Sequence, residues 1–248
     1  MYELVIRGGE VVDGSGLPSY RADIGIRGGR ISRIGRIKER GGEELDARGL
    51  VVAPGFIDGH THMDAQVAWD PLGTCSCWHG VTTAIMDNCG FTLAPCRPDE
   101  KHLVLRNLER AEDIPAEAMA AGIDWTWETY AQYLDALEGW RKGINYAGYV
   151  GHSALRTYAM GERAFSEPAT ADDLMTMKRE LSNALHAGAI GFTTSRTRNH
   201  ATPDGSPVAS RVAAWSEVRE LVGMMSELGA GVFEIASEDT GRDPERIR

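Results

Sequence analysis

His60-Thr61-His62 sets two imidazoles two residues apart, after an apolar, β-branched approach through Val51-Val52-Ala53 and, past Pro54-Gly55, Phe56-Ile57. Successive side chains of a strand point to opposite faces, so residues i and i+2 share one. His60 and His62 therefore enter the same space, while Thr61 points away. Two neutral imidazole nitrogens about 3–4 Å apart make half of a site for Zn2+ or a similar divalent ion. The plainer reading is two polar residues finishing a strand in solvent; the apolar approach and the flanking Asp58 and Asp64 weigh against it. A second strand-like run, Val81-Thr82-Thr83-Ala84-Ile85-Met86, ends in Asp87-Asn88-Cys89-Gly90. If the two strands are neighbours, the Cys89 thiolate joins the histidines, about 2.3 Å from a bound zinc and able to bridge two ions. A buried cysteine is otherwise an inert core residue. Cys75-x-Cys77 lacks the second ligand pair of a zinc knuckle, and Cys96 lies beside Pro95 in a loop, so both read as packing.

Two further polar groups follow strand-like runs. His152 and Arg156 come after Tyr146–Gly151, where either could meet a substrate carboxylate, Arg156 by a bidentate contact. A structural hydrogen bond is the stronger reading for both. Ser195-Arg196-Thr197-Arg198-Asn199-His200 follows Ala189–Thr194, and Ser195 and Arg196 are candidates for a carboxylate clamp against the alternative of a solvated loop. His79, His102 and His186 fall on helical stretches and read as surface or packing residues.

The elements that must position these groups divide at about residue 50. Residues 1–49 read as short strands of alternating polarity, with Gly8-Gly9 and Gly28-Gly29 as hairpin turns, giving a small β unit too thin to hold its own core. From residue 50, strands alternate with helices: the runs at 81–86, 146–151, 189–194 and 231–236 follow the His-x-His strand. Helices are expected over 98–121, 125–140, from cap Thr170 to stop Gly188, and from Trp215 to Leu228 with Ser216 as a cap and Gly229 as a stop. Apolar strands alternating with helices imply a parallel sheet covered on both sides. No G-x-G-x-x-G follows a strand, so a dinucleotide-binding sheet lacks its fingerprint. The polar groups all fall just past strand carboxyl ends, where a (β/α)8 barrel builds its site. Only about five of eight strands are found, and Asp243-Pro244-Glu245 has the composition of a helix start, so the expectation is the N-terminal part of a longer protein.

Bulk properties narrow the function classes. The 248 residues are 42% hydrophobic and 25% charged, an ordinary globular composition, and the net charge of −10 argues against nucleic acid or an anionic membrane as partner. No apolar run approaches the roughly 18–20 residues of a membrane span, and Met1–Arg7 lacks a signal-peptide layout, so a cytoplasmic protein is expected. Four cysteines are too few for a disulfide framework.

Pro54-Gly55-Phe56-Ile57-Asp58-Gly59-His60-Thr61-His62 resembles the first-strand signature of the amidohydrolase superfamily. Gly80-Val81-Thr82-Thr83, Asn88-Cys89-Gly90, Leu93-Ala94-Pro95, Val150–Arg156 with Ala159-Met160-Gly161, and Gly188–Thr194 are similar to its D-aminoacylase (N-acyl-D-amino-acid deacylase) branch. The resemblance covers essentially the whole chain. It implies a zinc-dependent hydrolase of N-acyl-D-amino acids on a (β/α)8 barrel, with residues 1–49 as part of a small β-sandwich that a distant C-terminus completes. In that reading His60 and His62 hold the more weakly bound metal and Cys89 ligates the tighter one. Water activated by one or two zinc ions attacks an amide carbonyl, and an aspartate delivers the proton. That aspartate is expected beyond Arg248, so residues 1–248 alone are expected to be inactive. The family's histidine at the end of the fifth strand is matched here by Ala236, with Glu234 or Glu238 as substitutes.

Two alternatives remain. A hydantoinase- or dihydroorotase-type cyclic-amide hydrolase wants a lysine at the end of the third or fourth strand, and neither end supplies one. A non-catalytic relative would keep the barrel and lose the metal site at Ala236.

Overall fold

The computed structural model describes residues 1–237, which fall into two compact units dividing after Phe56. The first holds β1 (Tyr2–Val11), β2 (Tyr20–Arg27), β3 (Arg30–Gly35), β4 (Gly41–Asp46) and β5 (Val51–Val52). The sheet runs β3-β2-β1-β4, with β5 also paired to β1. β1–β2 and β2–β3 are antiparallel, whereas β4 and β5 run parallel to β1.

The two Gly-Gly pairs behave differently. Gly28-Gly29 turns the β2–β3 hairpin with both φ positive (58° and 67°), as a tight primed turn requires. Gly8-Gly9 does not reverse the chain, contrary to the expectation of a hairpin there. It is a bulge within the continuous strand β1, where the register shifts between Ile6 and Gly9 and Gly8 takes φ 65°. Asp23 holds that bend: its carboxylate accepts from Gly8 N at 2.9 Å and Ile37 N at 3.1 Å. The core of this unit is thin, with Tyr2, Val5 and Ile37 in one cluster and Val11, Ala22 and Ile24 in another.

Val51-Val52 also differs from expectation. It pairs with β1 (Glu10↔Val51, Val11↔Val52), so it belongs to the first unit and does not lead into the histidine strand. Pro54-Gly55 separates it from β6 (Phe56–Asp58), an edge strand whose Phe56 and Ile57 are each 69% exposed. The histidines thus do not follow a buried strand.

The second unit continues with α1 (Thr74–Trp78), β7 (Val81–Met86), α2 (Lys101–Glu112), α3 (Ala116–Gly122), α4 (Tyr130–Gly139), β8 (Asn145–Gly148) and β9 (Val150–Gly151). Next come α5 (His152–Met160), α6 (Ala171–Ala187), β10 (Gly191–Ser195), α7 (Ala209–Val212), α8 (Trp215–Leu228) and β11 (Val232–Ala236). The expected long helix over 98–121 is two, because Asp113 takes φ 54° and Pro115 disfavours helical backbone at Ile114. α6 opens on a capping box, Thr170 Oγ1 accepting from Asp173 N and Asp173 Oδ2 from Thr170 N at 2.9 Å. α8 is capped by Ala214 without a side-chain bond, and Ser216 lies inside the helix.

The strands form two three-stranded sheets, β6-β7-β8 and β9-β10-β11. β8 and β9 are one run interrupted at Tyr149, so spatial order follows chain order throughout. The β7–β8, β9–β10 and β10–β11 pairs are all parallel. Among the described residues no reversal of strand order occurs, and so no switch point of a doubly wound sheet. Among the described residues, no helix is long and apolar enough to cross a membrane.

Candidate metal centre

The residues just past β6 and β7 are tied together by hydrogen bonds that leave the imidazoles and thiol facing one space. Thr61 turns toward β7, its N and Oγ1 both donating to Ile85 O, at 3.0 and 2.7 Å. Asn88 Nδ2 donates to Thr61 O and to Ile85 O, both at 3.0 Å, which locks the turn after β7 onto the histidine segment. In that turn Asp87 and Cys89 take φ of 64° and 60°, a region costing a non-glycine residue on the order of 1 kcal/mol or more. Cross-strand bonds hold it there. Gly90 N donates to Thr193 Oγ1 at 3.0 Å, and Cys89 N donates to Glu234 Oε2 at 2.8 Å.

As a result Cys89 Sγ lies 3.4 Å from His60 Nε2, and the rings of His60 and His62 have centroids 5.4 Å apart. One ligand atom from each of His60, His62 and Cys89 falls within 4.8 Å of the other two. Bond lengths of about 2.3 Å to sulfur and 2.0–2.1 Å to nitrogen put the S···N edge of a tetrahedral zinc site near 3.5 Å. The donor set and its spacing fit that ion. Glu234, on β11, reaches this group through the Cys89 backbone, and its Oε1 is 3.9 Å from Sγ. Ala236 pairs with Ser195 at the end of β11 and offers no donor side chain. Glu238 and the helix start at Asp243 lie outside the described residues.

Beneath the cluster sit acidic groups that sequence reasoning did not assemble. His62 Nδ1 is 3.2 Å from Glu112 Oε1, and His62 is pushed up to about 11 by Cys89 first and Glu112 second. Burial raises Glu112 to about 7, against the pull of His62. Asp64 and Asp87 are wholly buried; burial raises both, and the Asp64 charge raises Asp87 further. Tyr130 donates to Asp87 Oδ2 at 3.2 Å, while both Asp64 oxygens lack a partner. Glu112 lies fifty residues from His62, and no local spacing reveals it.

The weaker candidates are placed elsewhere. His152 and Arg156 are completely buried on α5 and do not face an open mouth. Glu217 of α8 engages both: its Oε1 is 2.8 Å from His152 Nε2, and it accepts from Arg156 NH1 at 2.7 and 2.5 Å. His152 Nδ1 meets Thr194 Oγ1 at 2.8 Å, and Arg156 NH2 donates to the carbonyls of Ala164 and Glu167. These contacts engage both side chains within the core. Ser195 is buried, its Oγ 2.7 Å from His200 Nδ1. Arg196 donates to Ala213 O at 2.6 Å and lies over the Trp215 ring at 5.0 Å. His200 packs edge-on against Phe91, which also contacts His62, and is lowered to about 4 by burial, then by the nearby His62. Cys77 donates to Thr74 O within α1, and burial pushes the Cys96 thiol up to about 12.

Parallel strands taken in chain order, with imidazole and thiol donors gathered at their carboxyl ends, define an α/β protein with a candidate metal centre. The chain belongs to the amidohydrolase family, whose profile matches residues 43–241. It is 34% identical to a D-aminoacylase of Alcaligenes xylosoxydans xylosoxydans over 242 residues, 97% of this chain and 45% of that protein. It is 39% identical over 197 residues to an N-acyl-D-glutamate deacylase of the same organism, covering 77% of this chain and 37% of the relative. The crystal structure of N-acyl-D-glutamate deacylase from Bordetella bronchiseptica, complexed with zinc and a phosphonate inhibitor, superposes with a TM-score of 0.74 at 30% identity. That match covers 96% of this chain and 45% of the other. The chain thus spans less than half the length of these relatives.

Proposed function

We propose that this chain carries the metal-holding part of a zinc-dependent hydrolase that deacylates N-acyl-D-amino acids, its strands β6 to β11 being part of a (β/α)8 barrel. The observation that carries the reading is the approach of Cys89 Sγ to His60 Nε2 at 3.4 Å, with His62 alongside. The names of the relatives supply the substrate class, and the zinc in the Bordetella bronchiseptica deacylase structure supplies the metal. His60, His62 and Cys89 would hold the ion. Zinc held there supplies a Lewis acid for an amide carbonyl and makes a water easier to deprotonate. The chain's own residues do the rest of the positioning. Glu234 fixes the Cys89 backbone, Asn88 ties the two strand ends together, and the buried Phe91 ring packs beside His62 at 6.1 Å between centroids. The four free thiols suit a reducing, cytoplasmic setting.

Metal analysis tests this directly. The chain is expected to retain at least about one equivalent of zinc, removable by a chelator; no retained metal would overturn the proposal. In the complete protein, chelator-sensitive acyl release from D- but not L-substrates is expected. Ala236, with only a methyl group at the tip of β11, favours a second reading: a relative that binds but does not hydrolyse. Zinc retention without turnover of any N-acyl amino acid would single it out.

A further inference from the structure

His62 presents its two ring nitrogens to different surroundings. A ring nitrogen of His62 falls within 4.8 Å of donor atoms of His60 and Cys89, and Nδ1 meets Glu112 Oε1 at 3.2 Å. Glu112 is the last residue of α2, on the face that also carries Leu105 and Leu108, at i, i+3 and i+7. Its side chain is 4% exposed. A glutamate that served only solubility would lie on the opposite, wet face of this amphipathic helix. Here the carboxylate has left water for the histidine.

We infer that Glu112 is a positioning residue for His62: it accepts the Nδ1 proton and leaves Nε2, with its lone pair, as the nitrogen offered to His60 and Cys89. The inference rests on the metal centre proposed above. A neutral imidazole carries one proton, and a carboxylate at Nδ1 fixes it there, sets the ring plane and makes the opposite nitrogen a better ligand. A rival arrangement is a second cation among His62, Asp64 and Glu112, whose ligand atoms also lie within 4.8 Å of one another and whose Asp64 oxygens lack partners. That arrangement needs His62 stripped of both ring protons to bridge two ions. The single hydrogen bond requires no such imidazolate.

The test compares the unsubstituted chain with Glu112→Gln, which keeps an acceptor oxygen of the same shape, and Glu112→Ala, which removes it. Zinc affinity is read by competition with a chromophoric chelator, and stoichiometry by elemental analysis. Nitrogen-15 NMR of the zinc-loaded, histidine-labelled protein shows which His62 nitrogen bears hydrogen. The expected results are Nδ1–H in the unsubstituted chain, zinc affinity about 10–100-fold weaker in Glu112→Ala, most of it recovered in Glu112→Gln, and unchanged stoichiometry. Equal affinity in Glu112→Ala overturns the positioning role alone, as does a proton on Nε2 of the unsubstituted chain, which needs no variant to fold. Loss of one zinc equivalent in Glu112→Ala overturns it in favour of the second cation. An unsubstituted chain that holds no zinc overturns the metal centre and this role together.

Discussion

His62 and His152 both follow strands, and each is paired with a glutamate from a helix distant in sequence, at 3.2 Å to Glu112 and 2.8 Å to Glu217. Their second nitrogens separate them. His152 spends its other nitrogen on Thr194 Oγ1 and lies wholly out of water. His62 keeps one edge for a space shared with an imidazole and a thiol. Arg156 reinforces the contrast, since it and His152 together surround the Glu217 carboxylate. A histidine at a strand end is therefore a ligand candidate only where one nitrogen is left unspent. Where both are used, it is part of the core's polar framework.

The comparison can be broken most forcefully at Glu217. Glu217→Ala leaves Arg156 buried without its carboxylate and is expected to destabilise the fold by about 3–5 kcal/mol in chemical denaturation. Zinc bound per folded chain should not change; a loss of zinc would mean that the two clusters are not separate. Cys89→Ala is expected to do the reverse. It should lower zinc affinity about 100-fold or more while leaving the metal-free protein's stability nearly intact, with His60→Ala weakening zinc less. Unaltered zinc content in Cys89→Ala would remove the thiol from the centre.

Acid should strike the His152 cluster. Burial lowers His152 below its ordinary value, and its bond to Glu217 only partly opposes this. Glu217 is also lowered, because His152 and Arg156 outweigh its burial. Both groups bind protons more weakly folded than unfolded, so the stability they contribute is present above their unfolded pKa values and is lost as pH falls. The loss should begin below about pH 6.5 for His152, with a slope of at most about 1.4 kcal/mol per pH unit for one proton. Urea titrations at pH 7.5, 6 and 5 would show it, and a flat profile would contradict the neutral, buried His152. The smallest effect belongs to a histidine in neither cluster. His186 is exposed near the end of α6, and His186→Ala should change stability by less than about 0.5 kcal/mol and zinc not at all.

Much of the local structure was legible. Thr170 and Gly188 bracket α6, and Gly229 ends α8, because capping and left-handed stops depend on neighbouring residues only. The Gly-Gly pairs show where that stops: Gly28-Gly29 turns a hairpin and Gly8-Gly9 bulges a strand, and the difference lies in Asp23, fifteen residues from Gly8. The same limit hid Glu112 and Glu217, which in sequence are ordinary acidic residues of helices.

By itself, the sequence determined that His60, His62 and Cys89 fall just past two successive strands, since chain order requires no distant contact; strand alternation does not reach the histidines, because β6 ends at Asp58. Only the tertiary structure decided which polar groups are spent and which remain available. That depends on where helices α2 and α8 deliver their glutamates, and burial then makes each such pairing or omission costly.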